Sequence, residues 1–145
     1  MQSAALWAQA VVVSFMLGGE HSGNSYVRTD VSLSRQAIHA GDVGAIVVTL
    51  APVKGIHVNV RPQVAIAVFT EGIVALEGTS AQSTDSSTGF LATDVPVQQT
   101  FRVLRDVPPG DYVIRGTCTY YFCSDAEGWC TKFSQPVELT LTVMR

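Results

Sequence analysis

The chain has 145 residues, 47% of them hydrophobic and 14% charged, with nine basic and twelve acidic side chains for a net charge of -3. That length fits one domain able to bury a core of its own, and the apolar fraction excludes a mostly disordered chain. A weakly acidic balance without a basic cluster argues against nucleic acid as a partner. Three cysteines are too few for a disulfide-built miniprotein, and the odd count leaves at least one without an intramolecular partner.

Residues 1–25 form an apolar segment and a polar linker. Ala4 to Leu17 read AALWAQAVVVSFML, with Gly18 and Gly19 following. A run of fourteen is short for a membrane span but matches the core of an export signal. No Lys or Arg precedes Arg28, so the usual basic start is missing. An export signal or its remnant is the preferred reading. A short membrane-associated or packed helix and a first β-strand are the others, so any membrane contact is expected through this segment alone. Export places the domain in the periplasm or otherwise outside the cytoplasm, where disulfides persist.

Residues 26–145 have a period of two. Val27, Thr29, Val31 and Leu33 alternate with Arg28, Asp30, Ser32 and Ser34, as in a strand with one buried face. Val43 to Leu50, Ile56 to Val60, Gln63 to Phe69 and Ile73 to Leu76 read as further strands, broken by Gly41-Asp42 and Pro52 to Gly55. Glu77 to Gly89 is rich in Ser, Thr and Gly, long for a connection, and of the kind that carries function. Val97 to Leu104, Asp111 to Phe122 and Val137 to Val143 complete the set, with Val107-Pro-Pro-Gly110 as a turn. No helical period follows the N-terminal segment. The pattern predicts an all-β, antiparallel β-sandwich of immunoglobulin-like type.

Cys123 and Cys130 bracket Ser-Asp-Ala-Glu-Gly-Trp between two strands. A bridge closing so small a loop stabilises by about 2.5 kcal/mol in the chain-entropy model, less any strain. It is either a structural staple or a pair that cycles between dithiol and disulfide. Alternation puts Cys118, Tyr120 and Phe122 on one face, and Thr119, Tyr121 and Cys123 on the other. Cys118 therefore reads as a buried small hydrophobe, while Tyr121 lines the approach to Cys123. Asp125 and Glu127 disfavour a thiolate and Lys132 favours one, which decides nothing between the two readings. Trp129 is a partner-facing anchor or ordinary packing. His57 points outward and makes a weak metal set with the two cysteines, without a fourth ligand; His39 and His21 fall in loop and linker. No phosphate-binding loop, hydrolase signature or cofactor motif is present, so no cofactor and no metal are expected.

The run Gly116-Thr-Cys-Thr-Tyr-Tyr-Phe-Cys-Ser-Asp-Ala-Glu-Gly-Trp-Cys130, followed by Pro136 and the strand Val137 to Val143, resembles the N-terminal domain of DsbD-type thiol:disulfide interchange proteins. Pro52-Val-Lys-Gly-Ile-His-Val-Asn-Val-Arg-Pro62 and Val107-Pro-Pro-Gly-Asp-Tyr112 are similar to two further segments of that family, with Ile56 where an aromatic is usual. Six residues between the cysteines is one more than usual there, and Thr131-Lys-Phe133 stands where an aromatic and prolines commonly follow. The resemblance implies an immunoglobulin-like fold and a redox pair, Cys123 and Cys130. It also implies a flexible cap loop, for which Glu77 to Phe90 is the candidate and Phe90 its aromatic. Electrons would pass between a membrane-embedded thiol reductant and thioredoxin-like proteins, with Cys130 as the resolving cysteine. The competing reading is a non-enzymatic binding module with a fixed disulfide.

Overall fold

The computed structural model describes residues 22–145; the apolar run 4–17 and His21 lie outside the described residues. Ten strands form two sheets: β1 (Ser22–Gly23), β2 (Val27–Leu33), β3 (Ala37–His39), β4 (Val43–Pro52), β5 (Ile56–Val58), β6 (Ala65–Val68), β7 (Val74–Leu76), β8 (Val97–Val103), β9 (Gly110–Ser124) and β10 (Cys130–Met144). One sheet has the order β1-β2-β4-β8-β7. The other has β3-β10-β9-β5, with β6 pairing the same side of β9 further back. The described residues are all-β and sandwich-like. No helix among the described residues is long and apolar enough to cross a membrane.

Period-two patterning builds this architecture directly. In β8, Val97, Gln99, Phe101 and Val103 are buried while Gln98, Thr100 and Arg102 are exposed. β4 and β9 alternate in the same way, so Ile46, Val48 and Leu50 meet Ile114, Cys118, Tyr120 and Phe122 between the sheets. Burying such side chains contributes about 1.5–3 kcal/mol each.

Three strands differ from the sequence expectation, the first being β1, which falls in the expected linker and pairs Ser22 and Gly23 with Thr29 and Arg28 of β2. β3 occupies part of a stretch expected to be loop, with Ala37 to His39 running parallel to Thr142 to Met144 of β10. His39 therefore ends a strand, with its side chain exposed. β10 begins at Cys130, seven residues earlier than its apolar period suggests, because Thr131 to Pro136 are paired with β9 although their outward positions are polar. Pro136 is tolerated there for a geometric reason. Cys130 and Cys123 approach to 4.0 Å between Cα atoms, the spacing of a pair without mutual backbone hydrogen bonds. Pro136 is six residues on, at the same parity, so its nitrogen faces away from β9. β3 covers only the far end of β10, and the missing N–H costs no ladder bond.

Gly116 marks a close approach. A Cβ there would lie 1.9 Å from the carbonyl oxygen of Ala67, so only glycine lets β6 pair with β9 at this point.

Candidate functional site

The β9–β10 hairpin projects its turn, residues 125–129, beyond the paired strands. Ser124 N–H donates to Trp129 O at 2.9 Å, Gly128 N–H to Ser124 O at 3.0 Å, and Glu127 N–H to Ser124 Oγ at 3.2 Å. Gly128 takes φ +72°, a conformation that suits glycine. Immediately before and after this turn, Cys123 and Cys130 stand directly opposite each other and are joined by a disulfide. Their environments differ. Cys123 is 6% exposed, whereas Cys130 lies open on the surface. Cys118, the free cysteine, is fully buried and its thiol is pushed up to about 12 by desolvation. Strand parity runs unbroken from Cys118, opposite Gln135, to Cys123, so the two thiol positions stay on opposite faces.

On its other side β9 pairs with β5, which places His57 directly across from Cys123. His57, Cys123 and Cys130 thus form one row across three adjacent strands. Asn59, just past β5, donates its N–H to Tyr121 O at 2.8 Å and its side-chain Nδ2 to Cys123 Sγ at 3.3 Å. His57 Nδ1 lies 2.5 Å from Asp125 Oδ1, and Asp125 is anchored by its own N–H donating to Gly55 O at 2.9 Å. Sequence reasoning set Asp125 against a thiolate. Here its carboxylate is engaged by the imidazole instead. Glu127 is likewise engaged, accepting from Trp129 Nε1 at 2.7 Å.

The long connection between β7 and β8 folds back over this row. Thr84 and Leu91 form an isolated bridge, Asp85 N–H donates to Phe90 O at 2.8 Å, and Ser87 N–H and Oγ both bond Asp85 Oδ1. These bonds hold the Asp85 carboxyl below its ordinary range. Leu91 is buried and its N–H donates to Val58 O at 2.9 Å, fixing the loop to the open edge of β5. Phe90, the neighbouring residue, stacks on His57 with centroids 3.5 Å apart and planes 11° from parallel.

The residues singled out from sequence therefore fall around the disulfide in different ways. Phe90 covers His57. Tyr121 is half-buried on the face that carries Cys123. Trp129 is half-buried in an aromatic cluster, edge-on to Tyr26 at 5.1 Å and to Phe122 at 5.8 Å. Tyr26 and Val53 extend this cluster as exposed apolar surface beside the hairpin tip, with Val53 N–H donating to Tyr26 O. His57, Asn59 and Asp125 as one group were missed, because 68 residues separate His57 from Asp125 and only the β5–β9 register unites them.

No group of three or more His, Cys, Asp or Glu among the described residues is arranged to hold a metal ion. A groove of about 680 Å³ is lined by Val31, Phe69, Gly116, Gln135 and Val137, several residues along the β9–β10 register from Cys123 and Cys130. No family model, curated protein or solved structure matches the chain. The class defined by fold and site together is a β-sandwich with a cross-strand disulfide at the tip of a long hairpin.

Proposed function

We propose that this domain carries out thiol–disulfide exchange through Cys123 and Cys130, outside the cytoplasm, with dithiol proteins of thioredoxin type as partners. The observation that carries the reading is the position of the bridge. It joins two strands already paired along their whole length, at the tip of their hairpin, where it closes a loop of only a few residues. A bridge of this kind links no distant parts of the sandwich, unlike the inter-sheet staple of immunoglobulin domains. Exposure supports it too, since exchange requires one sulfur within reach of a visiting thiolate.

Burial favours attack at Cys130, the reverse of the order that family analogy suggests. A partner thiolate bonds to Cys130 Sγ, the Cys123–Cys130 bond breaks, and its electron pair leaves on Cys123 Sγ. The partner's second thiolate then attacks the partner sulfur of the mixed disulfide, releasing Cys130 as a thiolate that takes a proton from water. The domain ends as a dithiol and the partner as a disulfide, a two-electron transfer with no other reactant. Tyr26, Val53 and Trp129 leave an apolar patch at the hairpin tip, on the Phe122 face of β9 rather than on the face that carries the disulfide.

Trapping tests the reading. A Cys123→Ala variant leaves Cys130 exposed and unable to be resolved internally. It should accumulate a mixed disulfide with a thioredoxin-like protein whose one remaining cysteine carries 2-nitro-5-thiobenzoate, the Cys130 thiolate displacing the thionitrobenzoate as leaving group. Failure to form this adduct while a small thiol reagent labels Cys130 fully would count against a partner-docking role.

A further inference from the structure

Resting on that exchange reading, we propose that His57 is the proton acceptor for Cys123 and that Asp125 is its positioning residue. His57 and Cys123 are opposite neighbours on β5 and β9, with side chains on the same face of the sheet. The Asp125 carboxylate accepts from Nδ1, which fixes the hydrogen there and leaves Nε2 with a free lone pair. Phe90 covers the ring, and the imidazole side chain is only 17% exposed, so water competes weakly for that lone pair.

Two cysteines of the same strand show what such a neighbourhood changes. Cys118 is buried among apolar side chains and its thiol is held neutral up to about 12. Cys123 is nearly as buried, but it has the Asn59 amide as hydrogen-bond donor and His57 across the strand. A basic imidazole and an amide donor favour the charged form of a thiol, as burial alone does not. The other charged groups flanking this row in sequence are Lys54 before and Arg61 after β5, Asp85 and Asp94 in the overlying loop, and Glu127 and Lys132 around the turn. Asp85 is taken by Ser87 and Glu127 by Trp129. Asp125 is the carboxylate bonded to the ring.

The step balances without another reactant. When the partner thiolate attacks Cys130, the electron pair of the broken bond collects on Cys123 Sγ, which takes a proton from the imidazolium of His57, its cross-strand neighbour, and the imidazole is reprotonated from the solvent into which the partner thiol ionised. In reverse, His57 takes the Cys123 proton and the thiolate attacks a partner disulfide. The same pair thus serves a leaving group in one direction and a nucleophile in the other.

The test is titration of Cys123 by thiolate absorbance near 240 nm in a Cys130→Ser background, where burial pushes the Cys118 thiol up to about 12. Cys123 should titrate below the ~8.5 of an ordinary cysteine. His57→Gln should raise its midpoint by about one pH unit or more, and Asp125→Asn by less. Since Cys130→Ser could itself disturb the hairpin, the disulfide form is measured too: reduction by dithiothreitol across pH 6–9 should be about threefold or more slower in His57→Gln, with a displaced pH profile. Unchanged titration and unchanged rates in His57→Gln, with the natural chain exchanging normally, would overturn the proton-acceptor role alone. A natural disulfide that does not exchange with dithiols at all would overturn the exchange reading, and this role with it.

Discussion

Phe90 lies flat on His57, 3.5 Å between ring centroids, although the two come from a β-strand and from the tip of a separate loop. Backbone pairing at Leu91 fixes the loop to β5, whereas the ring of Phe90, whose backbone bonds only within its own loop, meets β5 through this face-to-face contact. Such a contact is worth about 0.5–1.5 kcal/mol, little enough to open on the time of partner docking.

Phe90→Ala should therefore unmask His57 and Cys123 at small cost to the fold. Reduction by dithiothreitol is expected to become about threefold or more faster, with thermal stability changed by about 1 kcal/mol. Stopped-flow reduction and thermal melts on the same sample check both halves. An unaltered reduction rate would mean that Phe90 shields nothing.

The fold was largely legible in the sequence, and the site only partly. Alternation in Val27 to Leu33, Val43 to Leu50 and Val97 to Leu104 names buried faces that the structure retains. The parity count that separates Cys118 from Cys123 holds because β9 runs without a bulge between them. Ala37 to His39 was invisible because three residues cannot display a period, and their partner lies at the other end of the chain. The polar start of β10 was invisible because Thr131, Lys132 and Ser134 are exposed, with Pro136 among them. His57, Asp125 and Phe90 carry no shared local signal, and three separate chain segments must fold before they meet.

Cys118 gives a stability prediction with a definite sign. Its folded thiol stays neutral to about 12, while in the unfolded chain it ionises near its ordinary 9.0. Its contribution is therefore fully present below about pH 9 and is lost as pH rises from there towards 12, by up to about 1.4 kcal/mol per pH unit. Tyr120, raised by the same desolvation, acts in the same direction. Cys118→Ala should remove the cysteine part of this slope in urea titrations between pH 8 and 11. It should also cost about 1–2 kcal/mol at pH 7 for the lost packing. An unchanged slope would show that the thiol is not protected.

Gly116 and Gly55 should respond very differently to alanine. At Gly116 the new Cβ would collide with the Ala67 carbonyl, so the β6–β9 pairing must give way, at a cost of about 3 kcal/mol or more. At Gly55 nothing lies within 4 Å of the added atom, and only the φ of +84° is penalised, by about 1 kcal/mol. Urea unfolding of the two variants side by side measures the gap. Equal losses would contradict the close approach.

Removing both sulfurs should leave the sandwich standing. The Cys123→Ser, Cys130→Ser double variant is expected to lose at most about 2.5 kcal/mol, the loop-closure limit for so short a ring. The loss should be confined to the hairpin tip, where amide exchange of residues 122–131 accelerates while β2, β4 and β8 keep their protection. Global loss of protection would mark the bridge as a staple for the whole domain.

The reduction potential of the Cys123–Cys130 pair, measured by equilibration with glutathione or dithiothreitol buffers, tests the central claim most directly. An exchanging pair should come to equilibrium above about -300 mV, in the range shared by thioredoxin-type proteins. A disulfide that stays oxidised below that potential would be a fixed structural bridge, and the exchange function would be contradicted.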